Sequence, residues 1–305
     1  MLNIRKKENR SRILLPLSDF FLLSLQGNNI LENMNPKKIL FITQEICPYL
    51  PETPQSTTCR NLPQQIQEKG HEIRTFMPKF GSINERRNQL HEVIRLSGMN
   101  LIIDDTDHSL IIKVASIQAA RMQVYFIDNE DYFQNRETTV DKDGVEYEDN
   151  DERSIFFIRG VMETIKKLRW VPDIIHCHGW MSALAPIFIK KGYADDPNFK
   201  DAKVIYSPYD DVFEKPFKEN AADKMKFEGI DDNVIERIKQ RGVMNYENLT
   251  KLAVEYSDGV IQGGETLSTE IKDFIEEQKV DFLPKEEDFE TYVENINKFY
   301  DKIGG

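Results

Sequence analysis

Five consecutive residues, His176-Cys177-His178-Gly179-Trp180, hold the densest chemistry in the sequence. They close the run Asp173-Ile-Ile, which reads as a strand, and precede a helix expected over about 181–190. Residues two apart in a strand share a face, so His176 and His178 point the same way. That geometry suits a metal or the hydroxyls of a sugar, but no third ligand is visible and no zinc site is expected. Two readings stay open. His178 lines a carbohydrate cleft with Trp180 nearby for stacking, or the histidines pack and hydrogen-bond locally at the strand end.

A second position matters for what it omits. The run Ile39-Leu-Phe-Ile-Thr43 is continuous and apolar, as expected of a central parallel strand, and a helix is expected from Ser56 to Lys69. Ligands of parallel α/β sheets bind at such a strand-to-helix crossing. Residues 51–58 read PETPQSTT, with no glycine, lysine or arginine. Pro51 and Pro54 offer no N–H group, and Ser56 and Thr57 are expected to cap the helix, which disfavours a phosphate. The glycine-rich dinucleotide and ATP signatures are both absent. Asp210-Asp211 and the Asp104/Asp105/Asp107 cluster read as solvated turns, as does the acidic stretch 141–152. Gly263-Gly264 offers N–H groups before a late helix, with Glu265 in its first turn already using that field.

These positions need a scaffold. Gly70 stops the first helix and His71 to Pro78 forms a second strand, completing a βαβ unit. Residues 81–145 alternate short apolar runs with turns and read as a hairpin-rich, partly antiparallel insertion at the sheet edge. A helix over 154–168 presents Phe157, Val161, Ile165 and Leu168 on one face. A strand over 203–206 follows, then helices in two pieces over 220–256, a strand from Gly259, a helix over 265–278 and a last helix over 286–301. The fold class is α/β: a single domain with a mostly parallel sheet flanked by helices, spanning 34–280. Residues 281–305 are expected as a C-terminal helical tail, and residues 1–33 as a loosely packed or spurious extension.

Composition agrees with a globular chain: 305 residues, 40% apolar and 30% charged. A formal charge of −12 argues against nucleic acid or an anionic membrane as partner. Cys47, Cys59 and Cys177 show no pairing or metal spacing and read as reduced thiols of a cytoplasmic protein.

Several segments, in order, resemble the N-terminal domain of bacterial glycogen synthases and plant starch synthases, glycosyltransferases of the two-domain GT-B type. They are KKILFITQEICPYL at 37–50, LPQQIQEKGHEIRTFMPKFGSI at 62–83, YEDNDERSIFFIRGVMETI at 147–165, PDIIHCHGWMSALAP at 172–186 and NLTKLAVEYSDGVIQGG at 248–264. The resemblance implies a Rossmann-like domain and glucose transfer from ADP- or UDP-glucose to an α-1,4-glucan with retention, without a required metal or other cofactor. It also implies a lysine-x-glycine-glycine motif at the first crossing, where this chain carries Pro51, Glu52, Thr53 and Pro54. The family's histidine-aspartate-tryptophan motif appears as His178, Gly179 and Trp180. A histidine-asparagine pair is replaced within SPYDDVF at 207–213, and a serine-proline turn by Gly263-Gly264. The family's nucleotide-binding second domain is not expected within the twenty-five residues after 280.

Two functions follow from the resemblance. The first is a glycogen/starch synthase-like domain, not catalytic alone, that binds an α-glucan, a maltooligosaccharide or a protein partner. Its cleft is expected around Glu45, Tyr49, Arg153 and Trp180, with His178 in the family's catalytic position. The alternative is a glycosyltransferase completed by a separately encoded nucleotide-sugar-binding domain, which predicts an apolar ligand-side face. A third reading pairs His178 with Asp210 or Asp211 as acid and base.

Overall fold

The computed structural model describes residues 36–305; the expected extension over 1–33 lies outside the described residues. One mixed sheet runs through the domain. Its strands are β1 (Lys38–Thr43), β2 (Glu72–Pro78), β3 (His91–Glu92), β4 (Met99–Ile103), β5 (Thr106–Ile117), β6 (Met122–Asp128), β7 (Ile174–His178), β8 (Lys203–Ser207), β9 (Gly259–Ile261) and β10 (Asp281–Leu283). Their order is β10-β9-β8-β7-β1-β2-β6-β5-β3, with β4 paired to β5. Pairing is parallel from β10 to β6 and antiparallel around β5. The insertion is thus hairpin-rich, as expected, while its last strand, β6, joins the parallel part.

The helices are α1 (Pro54–Glu68), α2 (Asn150–Leu168), α3 (Ala185–Ile187, running into a π-turn over Phe188–Gly192), α4 (Ala221–Lys224), α5 (Asp232–Lys239), α6 (Tyr246–Glu255), α7 (Thr269–Gln278) and α8 (Phe289–Gly304). Side-chain alternation in the central strands sorts the core into two layers. Leu40 and Ile42 of β1 and Ile175 and Cys177 of β7 join the larger cluster, which includes Phe157, Val161 and Ile165 of α2. Ile39, Phe41 and Ile174 face the other way, with Leu62 and Ile66 of α1 and Tyr292, Val293, Ile296, Phe299 and Tyr300 of α8. Both faces of β1 and β7 are buried, which is why these strands read as unbroken apolar runs.

The segment 281–305 therefore supplies a strand as well as a helix, and both pack into the sheet and its core. The continuous helix expected over 181–190 is instead a 3₁₀ turn (Trp180–Ser182), a single α-turn and a π-turn. Residues 220–256 form three helices rather than two. The acidic groups at 104 and 105 are the two-residue turn of the β4–β5 hairpin, both with positive φ (48° and 61°). In the stretch 141–152, Asp141 caps the N–H groups of Asp143 and Val145, each at 2.9 Å. Among the described residues no helix is long and apolar enough to cross a membrane.

Candidate functional site

Strand order reverses between β7 and β1, because β2 lies on one side of β1 and β7 on the other. Such a switch point opens a crevice at the carboxyl ends of the strands. Here the crevice is bounded by the β1–α1 crossing, the residues after β7 and the loop after β8. A depression of about 270 Å³ sits there, walled by Glu45, Thr53, Pro54, Gln55, Tyr209, Asp210, Asp211 and Gly264. A second, of about 380 Å³, shares Thr53 and Pro54 and adds Glu52, Glu265, Lys285, Glu286 and Glu287. Among the described residues Lys285 is the one cation in either wall. Its ammonium donates to the Gly263 carbonyl at 3.0 Å, and burial lowers its pKa.

The β1–α1 crossing closes on itself. Thr53, rather than Ser56 or Thr57, is the N-cap of α1. Its hydroxyl accepts the Ser56 N–H at 2.9 Å, and the Ser56 hydroxyl accepts the Thr53 N–H at 2.8 Å, a reciprocal capping box. The Thr53 hydroxyl donates to Glu45 Oε1 at 2.8 Å. Pro54 at the first helical position adds no donor. The helix field is therefore met by a neutral hydroxyl beside a carboxylate, an arrangement that repels a phosphate. Glu45 is held above the usual carboxylate pKa mainly by burial, which outweighs the Thr53 hydrogen bond.

The two histidines part company. His176 bridges Tyr300 Oη of α8 and Ser207 Oγ of β8, both at 2.7 Å, so both of its nitrogens are engaged. His178 shares one hydrogen bond with Tyr209 Oη at 3.0 Å, and its Nε2 is buried without a partner. Their rings lie 3.9 Å apart. Burial pulls the pKa of His178 down to about 3, helped by the Lys285 charge, and that of His176 well below 6.5. Both rings are neutral at pH 7. Among the described residues no group of three or more His, Cys, Asp or Glu side chains is placed to hold a metal ion.

The expected cleft residues separate. Glu45 lies in the wall of the first depression. Tyr49 is buried edge-on against Phe126, with its hydroxyl unpartnered and its pKa pushed to about 12 by burial. Arg153 is fully buried. It donates to the carbonyls of Tyr132 (2.9 Å) and Thr138 (2.7 Å) and to Asn150 Oδ1 (2.8 Å), and it lies over the Tyr147 ring at 4.8 Å. This arginine pins the 132–138 loop to α2. Trp180 is 2% exposed, and its ring packs on Phe213 and Phe217 at 5.1 and 5.9 Å. No indole face is free to stack on a sugar. The spacing of His178 and Trp180 suggested a shared cleft, but aromatic residues more than thirty positions away in sequence cover the tryptophan.

Tyr209, Gln55 and Asp211 enter in their place. Asp211 Oδ2 accepts the Trp180 N–H at 3.0 Å, Oδ1 is buried without a partner, and burial pushes its pKa up to about 7. Gln55 is 4% exposed, and both atoms of its amide lack partners. These groups converge on Gly179, whose backbone (φ 77°, ψ 170°) lies in a region open essentially to glycine alone. A Cβ there would fall 2.3 Å from Gln55 Nε2, 2.7 Å from Asp211 Oδ2 and 2.8 Å from Gln44 Oε1. No hydrogen bond joins His178 to Asp210 or Asp211, which leaves the acid–base pair without a contact. The Asp210 carboxylate instead accepts from the N–H groups of Glu265 (2.6 Å) and Thr266. The N–H groups of Gly263 and Gly264 are turned inward onto the Pro208 carbonyl at 3.0 and 3.1 Å rather than exposed. From sequence, Glu45, the 51–58 crossing and the Asp-Asp pair after β8 signalled this wall, whereas nothing singled out Gln55 or Tyr209.

Residues 38–283 match the family model for the starch synthase catalytic domain. A glycogen synthase of Chlorobium limicola is 32% identical over 237 residues, covering 74% of this chain and 48% of that protein. A glycogen synthase of Chlorobaculum tepidum is 34% identical over 208 residues, covering 65% and 43%. The chain spans about half the length of the curated relatives it matches. Among solved structures, the catalytic domain of starch synthase IV from Arabidopsis thaliana, bound to ADP and acarbose, superposes with a TM-score of 0.64 at 17% identity. The match covers 82% of this chain and 51% of that one.

Proposed function

The chain belongs to the starch synthase catalytic domain family, and from that premise we propose that it is a glucan-binding member which, as this 305-residue polypeptide, does not transfer glucose. The observation that carries the reading is the self-capped start of α1. Where the resemblance implies a lysine and two glycines, Thr53 and Ser56 use each other's donors, Pro54 has none, and Glu45 stands alongside. A sugar nucleotide brings two phosphates, and burying them needs converging donors or cations. The walls offer carboxylates and one committed lysine. A neutral glucan presents hydroxyls instead, which carboxylates, amides and tyrosines pair with readily. The solved Arabidopsis domain is bound to both ADP and acarbose, and of those two ligand types the saccharide is the one that the groups in this crevice can pair with.

Completion by a separate nucleotide-sugar-binding domain is less well supported. That reading predicts an apolar ligand-side face; the surface of the first depression is mostly apolar, as it requires, but the carboxylates of Glu45, Glu52, Asp210, Glu265, Glu286 and Glu287 stand in the two walls and make docking of a second domain costly there. The test is chain elongation. Purified polypeptide incubated with ADP-glucose or UDP-glucose and maltoheptaose is expected to leave the oligosaccharide length unchanged by chromatography. Longer products formed by this polypeptide alone would overturn the reading.

A further inference from the structure

We propose that Gln55 and Asp211 form a subsite for a neutral vicinal diol, such as two adjacent hydroxyls of a pyranose ring, at the position opened by Gly179. The inference rests on the glucan-binding reading and names the residues that would carry it. Three observations support it. The Gln55 amide is almost wholly buried, forms part of the wall of the 270 Å³ depression, and has neither its N–H₂ nor its carbonyl paired. Asp211 belongs to the same wall, and its Oδ1 is also buried and unpaired, while Oδ2 is fixed by the Trp180 N–H. Finally, Gly179 leaves the volume in which the ends of both side chains meet, since any Cβ there would collide with them.

Buried amides are ordinarily satisfied, so an amide orphaned at both ends beside a cavity marks a place where a ligand completes the set. The donor and acceptor count selects the ligand. An anion would find one N–H₂ against the carboxylates of Glu45 and Asp211. A cation takes the Gln55 carbonyl and the carboxylates as oxygen ligands but leaves the N–H₂ unpaired, and among the described residues no group of three or more His, Cys, Asp or Glu side chains is placed to hold one. A hydroxyl both donates and accepts. One hydroxyl accepts from Gln55 Nε2 and donates to Asp211 Oδ1, and its neighbour donates to Gln55 Oε1 or to the free oxygen of Glu45. The amide turns toward the depression as the ring enters. Asp211 is held near neutrality by burial, and a hydroxyl donated to Oδ1 favours its ionised form.

The experiment is calorimetric titration of the full chain with maltoheptaose, comparing wild type with Gln55→Met. Methionine keeps the length and the helix position of Gln55 but removes both polar atoms. Thermal unfolding of each protein serves as the folding control. Wild type is expected to bind, and Gln55→Met to bind about tenfold or more weakly with an unchanged or higher Tm, because an unsatisfied buried amide has been removed. If Gln55→Met fails to fold, Gln55→Ala is read in the same way. Equal affinities of wild type and a folded variant would overturn the subsite while leaving glucan binding standing. No binding by wild type would overturn both.

Discussion

Asp211, His178 and His176 are buried within a few residues of one another in space, and their protons oppose each other. Asp211 titrates near 7 rather than its ordinary 3.8, His178 near 3 and His176 well below the ordinary 6.5. Between about pH 4 and pH 6.5, native Asp211 holds a proton that the unfolded chain has released, so its contribution to stability falls as pH rises. Over the same window each histidine is neutral when native and protonated when unfolded, so its contribution rises with pH. Each such proton is worth about 1.36 kcal/mol per pH unit. Asp211→Asn is therefore expected to steepen the rise of stability with pH by about that amount. His178→Gln is expected to flatten the rise by a similar amount. Urea unfolding at several pH values reads both slopes, and parallel profiles for all three proteins would refute the opposed titrations. The chemistry of His178 was legible in sequence as far as its strand and face. Its partner was not, because Tyr209 reaches it from the loop after β8, thirty-one residues along the chain. Trp180 shows the same limit. An aromatic residue after a strand end is equally suited to a cleft or a core, and only Phe213 and Phe217 decide between them.

At the scale of elements, the β1–α1–β2 unit was readable because its strands are buried on both faces and its helix ends at Gly70. β10 was not, since three residues carry no periodicity and the strand exists only by pairing with β9. The role of α8 follows from the same geometry. It buries Tyr292, Val293, Ile296, Phe299 and Tyr300 against β1, β7 and β8. At about 1.5–3 kcal/mol for each fully buried large apolar side chain, this burial is comparable to the whole stability of a domain. Ile296→Ala is expected to cost about 2–5 kcal/mol by chemical denaturation, and a chain ending at residue 287 is expected to show no cooperative unfolding. A cooperative transition of wild-type size in that shortened chain would show that α8 is a dispensable appendage. The capping box at α1 makes a smaller, separate claim. Thr53→Ala is expected to cost about 0.5–2 kcal/mol of stability without creating affinity for ADP, because no cation replaces the lost cap. Equilibrium binding of ADP by that variant would show that the cap alone excluded the phosphate.

For the whole molecule, the sheet order puts Glu45, Gln55, His178, Tyr209, Asp210 and Asp211 on one side, near the carboxyl ends of β1, β7 and β8. Family membership and architecture were recoverable from sequence because they rest on long apolar strands and on segments that keep their order. The contents of the crevice were only half recoverable. The missing lysine and glycines were visible as Pro51-Glu-Thr-Pro54, whereas the polar groups that fill the space over Gly179 appear only when three loops are brought together. The acidic rims should turn a nucleotide away by long-range repulsion, an effect that weakens at high salt. One experiment addresses the proposed division between scaffold and chemistry most directly. A single preparation of the full chain is titrated by calorimetry with maltoheptaose and, separately, with ADP-glucose, at low and at high salt. Saturable binding of maltoheptaose that varies little with salt, with no heat from ADP-glucose at either ionic strength, is the expected result. Saturable binding of ADP-glucose with no response to maltoheptaose would contradict it.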